Sequence, residues 1–96
     1  MKVYKTSEAN RDLKNLYKAV KAFDRRAAQK MIARLDAAFA RLSDYPFSGT
    51  EWNEVEEGLR RVVSGLNVII YRVEQNRILI LRVLDGRMDI ENEFFE

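Results

Sequence analysis

Apolar residues recur at steps of three and four positions in two stretches of the first half of the chain. This spacing predicts two amphipathic helices with basic outer faces. Ser7 and Asp24 precede the two stretches and are expected to cap the helices through their side-chain oxygens. Since few residues separate the stretches, the helices should form an antiparallel hairpin. The apolar positions are Ala9, Leu13, Leu16, Tyr17 and Val20, followed by Ala28, Met31, Ile32, Leu35, Ala38, Phe39 and Leu42.

Strand patterns lie on either side of this hairpin. Residues 2–6 predict a short first strand, and residues 59–64, 67–73 and 77–84 predict three more after the helices. Residues 43–58 form a long acidic connection. The expected fold is therefore α+β, in the order β-α-α-β-β-β: an N-terminal strand and an antiparallel two-helix hairpin packed on a small, mostly antiparallel sheet.

The last two strands are almost continuously apolar, which indicates that both of their faces are covered. The hairpin can cover one face. The other is expected to stay open for a partner, because a chain of 96 residues has little else to place there. Two alternatives are that Ile90, Phe94 and Phe95 fold back over this face, or that two copies of the chain pair through it.

Composition excludes several kinds of chemistry. The 96 residues predict one domain over positions 1–96, and the chain has neither cysteine nor histidine. Disulfides, thiol nucleophiles and Cys/His metal sites are therefore excluded. No apolar run reaches the ~18 residues of a membrane span, and the N-terminus lacks the apolar block of a signal peptide. A cytoplasmic location is expected.

Charge is segregated along the chain, although the net charge is only +2. Residues 1–41 carry eleven basic and four acidic groups, and residues 44–57 carry five acids and no base. Residues 59–88 carry six bases and two acids, and residues 89–96 carry four acids. Such blocks either steer a charged partner towards the protein or are ordinary solvated faces.

Five arginines lie on or beside the three C-terminal strands. Alternation along a strand sends Arg60 and Arg61 to opposite faces, so only one of them can join Arg72 and Arg82. These arginines can grip phosphates or acidic groups of a partner, or they can pair with acids of the chain itself. The arginines are Arg60, Arg61, Arg72, Arg82 and Arg87, and the candidate internal acids are Glu74, Asp85 and Asp89.

No catalytic site can be built from the remaining polar residues. Asp85 and Gly86 are typical of a turn, and the spacing of Asp85 and Asp89 favours turn capping over general-base function. The chain has no glycine-rich phosphate loop and no serine-based constellation. No catalytic residue, metal ligand or cofactor is predicted.

The tract GLRRVVSGLNVIIYRVEQNRILILRVLDGRMD, residues 58–89, resembles the toxins of the RelE/ParE superfamily of bacterial toxin–antitoxin modules. It is similar to their Gly-x-Arg-Arg, spaced glycine, apolar-Tyr-Arg and Arg-Val-Leu-x-x-x-x-Asp pattern. The resemblance covers nearly the whole chain and implies the same fold. Upstream residues that resemble the family are Ser7, Ala9, Asp12 and Leu13 in its first helix, and Tyr45, Pro46 and Gly49 in its Pro-x-x-Gly loop.

The C-terminal corner resembles the ParE-like branch, whose members inhibit DNA gyrase, more than the branch that cuts mRNA on the ribosome. Ribosome-dependent nucleases often carry a second basic residue and a tyrosine where this chain has Met88 and Phe94. Neither side chain can stabilise phosphate charge or move a proton. Asp85 and Asn67 replace histidines that are common in ParE-like members. The residues that match the ParE-like corner are Val83, Leu84, Met88 and Asp89.

The resemblance implies a toxin that inhibits DNA gyrase by binding, not by catalysis, and that needs no cofactor. A tightly bound antitoxin would neutralise it in a hetero-oligomer by wrapping a C-terminal segment over the toxin. Two alternatives are a ribosome-dependent mRNA endonuclease and a non-toxic antitoxin-binding module. The polar residues expected to bind a partner are Arg60, Arg61, Arg72, Arg82, Arg87 and Asp89. The apolar residues expected to line the antitoxin groove are Leu16, Val20, Ile32, Phe39, Ile70 and Ile80.

Overall fold

The computed structural model describes residues 1–95, which form five strands and three helices. The elements are β1 (Lys2–Lys5), α1 (Ser7–Lys21), α2 (Arg25–Asp44), β2 (Thr50–Glu51), β3 (Leu59–Ser64), β4 (Asn67–Glu74), β5 (Arg77–Asp85) and α3 (Ile90–Phe95). This order confirms the predicted α+β fold, and the three long C-terminal strands end within one residue of their predicted bounds. The two-residue strand β2 and the short helix α3 were not predicted.

All five strands belong to one sheet in the order β1-β5-β4-β3-β2. β1 runs parallel to β5, whereas the other neighbouring strands are antiparallel. Gln75 and Asn76 have positive φ values of 51° and 58°, which suit the two-residue turn that joins β4 to β5. The strand order also makes β1 and β5, the first and last strands of the sheet along the chain, direct neighbours.

Thr6, not Ser7, caps α1, so the prediction for Ser7 was wrong. The Thr6 backbone is extended, with φ −68° and ψ 164°, because this residue leaves β1 directly. Its hydroxyl oxygen accepts a hydrogen bond from the Ala9 N–H at 3.0 Å. The prediction for Asp24 is confirmed, since its carboxylate accepts hydrogen bonds from two N–H groups in the first turn of α2.

The start of α1 continues the cover of the β5 edge where β1 stops. β1 pairs with β5 only as far as Ile80. Beyond that point Thr6 donates its N–H to the Ile80 carbonyl at 3.0 Å and its hydroxyl to the Leu81 carbonyl at 2.9 Å. The Val83 N–H then donates to the Asp12 carboxylate at 3.0 Å. Thr6 and Asp12 thus satisfy backbone groups of β5 that β1 leaves open.

A β-bulge in β5 decides which side chains face the helices. Ile70 of β4 pairs with Arg82, but the next residue, Tyr71, pairs with Ile80, so Leu81 is the extra residue. As a result Ile80 and Val83, three positions apart, both join the core between the sheet and the helices. The buried members of this core are Ala9, Met31, Leu35, Ala38, Phe39, Leu42, Ile69, Tyr71, Ile78, Ile80 and Val83.

Much of the second face of the sheet is covered by the chain itself, so the expectation that this face stays open was wrong for most of it, although Val63 at its edge is 69% exposed. Trp52, from the acidic connection, packs there with buried residues of β3, β4 and β5. Ile90 and Phe94 of α3 also pack against this second-face cluster, as the fold-back alternative proposed, whereas Phe95 is exposed. The buried members of the second-face cluster are Trp52, Leu59, Val68, Ile70 and Leu84.

Candidate partner-binding site

Arg60 holds the connection between α2 and β3. One of its guanidinium nitrogens donates to the carbonyls of Phe47 and Gly49 at 3.1 and 2.9 Å, and the other lies 3.2 Å from a Glu51 carboxylate oxygen. The guanidinium also lies over the Phe47 ring, 5.2 Å from its centre. Arg60 therefore orders a loop, and both of its terminal nitrogens have partners within the chain.

Tyr71 fixes the same loop from below. This buried hydroxyl donates to the Pro46 carbonyl at 2.9 Å and accepts from the Gly49 N–H at 2.8 Å. Burial raises the pKa of Tyr71 above 10.0. A Cβ atom at Gly49 would lie 2.5 Å from the Tyr71 oxygen, so only glycine fits there. The Pro-x-x-Gly loop and the apolar-Tyr-Arg strand, which carry the family resemblance, thus form one structural unit.

Arg61 and Arg72 lie on the opposite face, as strand alternation predicted. Arg61 pairs with Ile70, a member of the second-face cluster, and its guanidinium lies 5.0 Å from the centre of the Trp52 ring. The Arg72 guanidinium lies 3.2 Å from a Glu56 carboxylate oxygen and donates to the Glu57 carbonyl at 3.2 Å. Both side chains are partly exposed and hold the acidic connection against the sheet.

Arg82, the arginine in the middle of β5, pairs with Asp12 of α1. Its Nε and one terminal nitrogen donate to the two Asp12 carboxylate oxygens at 2.7 and 3.0 Å, and its other terminal nitrogen donates to the Glu93 carbonyl at 2.9 Å. The hydrogen bonds to Asp12 raise the pKa of Arg82 above its ordinary value. None of the predicted internal acids is its partner, since Glu74 pairs with Arg77, Asp85 pairs with Arg87 and Asp89 accepts from Asn92.

Arg87 pairs with Asp85, which was one of the three acids predicted as internal partners of the arginines. The Arg87 side chain approaches Asp85 to 2.6 Å, and its backbone N–H donates to the same carboxylate at 2.9 Å. These bonds lower the pKa of Asp85 to about 2. Asp89 accepts hydrogen bonds from Asn92, at 3.4 Å from the backbone N–H and 2.8 Å from the side-chain amide. Asp89 therefore holds the start of α3, whereas the Arg87 side chain is 71% exposed.

Four of the six apolar residues predicted for an antitoxin groove lie elsewhere. Ile70 and Ile80 are fully buried in the two clusters, and Phe39 is buried under the helices. Ile32 packs against the core beneath the hairpin. These residues were misplaced because their helical or strand periodicity does not distinguish a core position from the wall of an open groove.

Leu16 and Val20 do line a groove, which lies between the helical hairpin and the end of the sheet. This hairpin groove has a volume of about 230 Å³ and mostly apolar walls. The lining of the groove includes three cationic side chains, Lys30, Arg34 and Arg87. The remaining lining residues are Ala27, Met31, Leu66, Asn67 and Asp85.

The hairpin groove has the chemistry of a site for an acidic amphipathic segment. Its apolar walls suit a bulky aliphatic side chain, and its cations suit carboxylates beside that side chain. Sequence reasoning missed Lys30, Arg34 and Leu66. The first two were visible only as part of a basic helix face, and Leu66 stands in a turn that carries no periodic signal.

A second exposed feature adjoins the hairpin groove. The turn before β4 meets the corner after β5, where the Gly86 N–H donates to the Leu66 carbonyl at 2.7 Å. Leu66 and Met88 are 62% and 51% exposed, and Arg87 directly precedes Met88 in the chain. We call Leu66, Arg87 and Met88 the sheet-end surface. It combines apolar and cationic contacts, and it shares Leu66 and Arg87 with the hairpin groove.

Metal ligands and membrane spans are not features of the described chain. Within residues 1–95, no three acidic side chains converge in a way that could hold a metal ion. None of the helices in the same range combines the length and the apolar character that crossing a bilayer requires.

The fold places the chain among the toxins of the RelE/ParE superfamily. The chromosomal ParDE toxin–antitoxin system from P. aeruginosa contains a chain that matches with a TM-score of 0.77 at 20% identity, over 88% of this chain and 95% of that one. The RelBE2 toxin–antitoxin complex from Mycobacterium tuberculosis matches with a TM-score of 0.64 at 27% identity, over the same shares.

Sequence comparison then defines the family. The family model for the ParE toxin of the type II toxin–antitoxin system parDE matches residues 3–90, so the chain belongs to this family. Toxin ParE3 from Caulobacter vibrioides is 32% identical over 65 residues, which cover 68% of this chain. The alignment spans 65% of that relative, just under two thirds of its length.

Proposed function

We propose that the protein is the toxin of a type II toxin–antitoxin pair, that it inhibits DNA gyrase in the cytoplasm, and that an antitoxin segment bound in the hairpin groove keeps it inactive. Membership of the ParE family supports the class of function. The observation that carries the proposal is the hairpin groove, which has apolar walls beside Lys30, Arg34 and Arg87.

The groove defines the antitoxin segment that it would accept. An apolar side chain would enter between Leu16, Val20 and Met31, and carboxylates of the same segment would meet Lys30 and Arg34. Such a segment is an acidic amphipathic helix, which can be disordered when free and fold on the toxin.

The antitoxin site can be tested with two neighbouring substitutions on α1. Val20→Asp places a carboxylate in the groove, whereas Ala19→Asp adds the same charge to an exposed position outside its lining. We expect Val20→Asp to weaken antitoxin binding at least tenfold in titration calorimetry, and Ala19→Asp to bind like the parent. Equal affinities of the two variants would place the antitoxin elsewhere.

Binding, not catalysis, is the proposed mode of action on gyrase. The Arg82 guanidinium is bonded to Asp12 and Glu93, so it is not free to stabilise a cleaved phosphate. Met88 replaces the second basic residue that ribosome-dependent nucleases often carry. The sheet-end surface would instead contact gyrase through Leu66, Arg87 and Met88.

A supercoiling assay with purified toxin and gyrase tests this target. We expect the toxin to inhibit supercoiling, Leu66→Asp to lose the inhibition, and Tyr45→Asp to retain it, since Tyr45 is an equally exposed residue of a different loop. Gyrase would be rejected as the target if purified gyrase stays fully active at excess toxin while expression of the same toxin still kills cells.

The likeness to the RelBE2 complex supports a second candidate, a ribosome-dependent mRNA endonuclease. Transcript ends mapped soon after induction separate the two functions. Cuts in phase with codons would favour the nuclease, whereas intact transcripts with relaxed plasmid DNA would favour gyrase inhibition.

A further inference from the structure

The cations of the helical hairpin differ from those of the sheet. α1 and α2 contain nine lysine and arginine residues, and all nine are exposed. No ion pair within residues 1–95 uses any of them. Among the six arginines on or beside β3, β4 and β5, by contrast, Arg61 lies over the Trp52 ring and the other five lie within ion-pair distance of an acid. The hairpin cations are therefore available to an external partner.

Eight of the nine cations form two rows, which we call the hairpin stripes. Within each row they recur at steps of three, four or seven residues, so each row follows one side of its helix. Like charges three or four residues apart repel by roughly 0.2–0.5 kcal/mol per pair, so a bound polyanion would relieve the repulsion. The stripes are Arg11, Lys14, Lys18 and Lys21 on α1, and Arg26, Lys30, Arg34 and Arg41 on α2. Lys30 and Arg34 also line the hairpin groove, so the stripes share these two cations with the proposed antitoxin site.

The acidic residues of the hairpin do little to neutralise the stripes. Asp12 is bonded to Arg82, and Asp24 caps α2. Glu8, whose pKa is lowered first by a hydrogen bond from Ser7, stands at the start of α1, and Asp44 stands at the end of α2. Asp36 is the remaining acid, and the hairpin keeps a strong positive field.

We propose that the hairpin stripes bind the phosphate backbone of duplex DNA. Successive cations of a stripe lie about 4.5–6 Å apart along a helix axis, except Arg34 and Arg41, which lie about 10.5 Å apart, and packed helices lie about 8–10 Å apart. These spacings are comparable with the grooves of B-form DNA, about 6 and 12 Å wide, so two rows of cations can face two phosphate strands. The inference rests on the proposed function, because gyrase holds DNA beside any inhibitor bound to it.

The residues between the cations favour DNA over an acidic protein segment. Ala33 and Ala37 share the outer side of α2 with Arg26, Lys30 and Arg41, and both are exposed. An acidic amphipathic helix needs a seam of larger apolar side chains, which the hairpin groove offers and this outer surface does not. Small methyl groups instead allow close approach of a backbone that carries charge but no apolar side chains.

A salt titration with a fluorescent DNA duplex tests the proposal without gyrase or antitoxin. Lys14→Gln/Lys18→Gln removes two cations of the α1 stripe, neither of which lines the hairpin groove. Each lost phosphate contact should reduce the slope of log K against log salt by about 0.9, so we expect a loss of about 1.8. Arg61→Gln/Arg72→Gln removes the same charge from the opposite face and should leave the slope unchanged.

Three results would overturn the proposal: no DNA binding at low salt, an equal loss of slope in both double variants, or binding of single-stranded RNA or anionic vesicles but not DNA. Supercoiling inhibition is measured separately. A toxin that inhibits gyrase but does not bind DNA would therefore reject the hairpin stripes as a DNA site and leave the proposed function intact.

Discussion

Asp12 and Arg82 are separated by seventy positions in the chain and form a two-pronged ion pair, with distances of 2.7 and 3.0 Å. The same Asp12 carboxylate accepts the Val83 N–H, and Arg82 also donates to the Glu93 carbonyl. One pair therefore joins α1, β5 and α3. The arginine in the most apolar strand is a structural centre, and this explains how the strand tolerates its charge.

Removing the Asp12 carboxylate should leave the partly buried Arg82 guanidinium without its ion-pair partner. We expect Asp12→Ala to lower the free energy of unfolding by roughly 2–4 kcal/mol, below the cost of about 3–5 for a fully buried pair, because both side chains retain some exposure. Asp36→Ala, an exposed acid on α2, should change it by less than about 0.5 kcal/mol. Urea denaturation measures both, and equal effects would contradict a structural role for Asp12.

The Tyr71 hydroxyl should stabilise the loop between α2 and β2. Tyr71→Phe leaves the Pro46 carbonyl and the Gly49 N–H without this partner, and we expect a loss of about 1–3 kcal/mol. Tyr45→Phe removes a hydroxyl from an exposed residue and should be neutral. Thermal unfolding compares the two, and an unchanged melting temperature for Tyr71→Phe would show that the loop is held without this bond.

The Asp85–Arg87 pair predicts a pH dependence at acidic pH. Hydrogen bonds from the Arg87 side chain and backbone hold the pKa of Asp85 at about 2, against an ordinary value of 3.8. Because the folded pKa is the lower one, the pair stabilises the fold above pH 3.8, and this contribution is lost as the pH falls from there through 2. Arg87→Gln should raise the pKa of Asp85 towards 3.8 in an NMR titration. Arg77→Gln should leave it unchanged, and an Asp85 that titrates near 3.8 in the parent would contradict the pairing.

Phe94 should carry the contribution of α3 to the second-face cluster. Its ring centre lies 6.1 Å from that of Trp52, whereas Phe95 is exposed. We expect Phe94→Ala to cost about 1–3 kcal/mol, less than a fully buried phenylalanine, and to increase binding of a hydrophobic dye. Phe95→Ala should have a smaller effect on both, and the reverse order would place α3 differently on the sheet.

The sequence predicts the elements well because each carries its own periodicity. The apolar positions of α1 and α2 repeat over several turns, and β3, β4 and β5 are apolar runs bounded by turn residues. The N-cap at Asp24 is a local interaction and was predicted. Thr6 was missed because its role as a cap depends on β1 ending at Lys5, and Ser7 has equally suitable chemistry.

The candidate site was harder to predict because its residues meet across long sequence distances. Alternation correctly separated Arg60 from Arg61, but no local pattern pairs Arg82 with Asp12. The bulge at Leu81 changes which side chains of β5 face the helices. Trp52 lies in an irregular connection, so nothing periodic indicates that it covers the second face of the sheet.

The parallel pairing of β1 with β5 has a consequence for the timing of folding. Residues 2–5 form their sheet contacts with residues 77–80, so the ribosome must synthesise the chain as far as β5 before the first strand finds its neighbour. Contacts between distant parts of a chain also slow the search for the native state. A growing polypeptide that has not reached β5 therefore lacks the paired strands on which the helices pack, and the hairpin groove, whose lining includes Asp85 of β5, forms only once that strand has been synthesised.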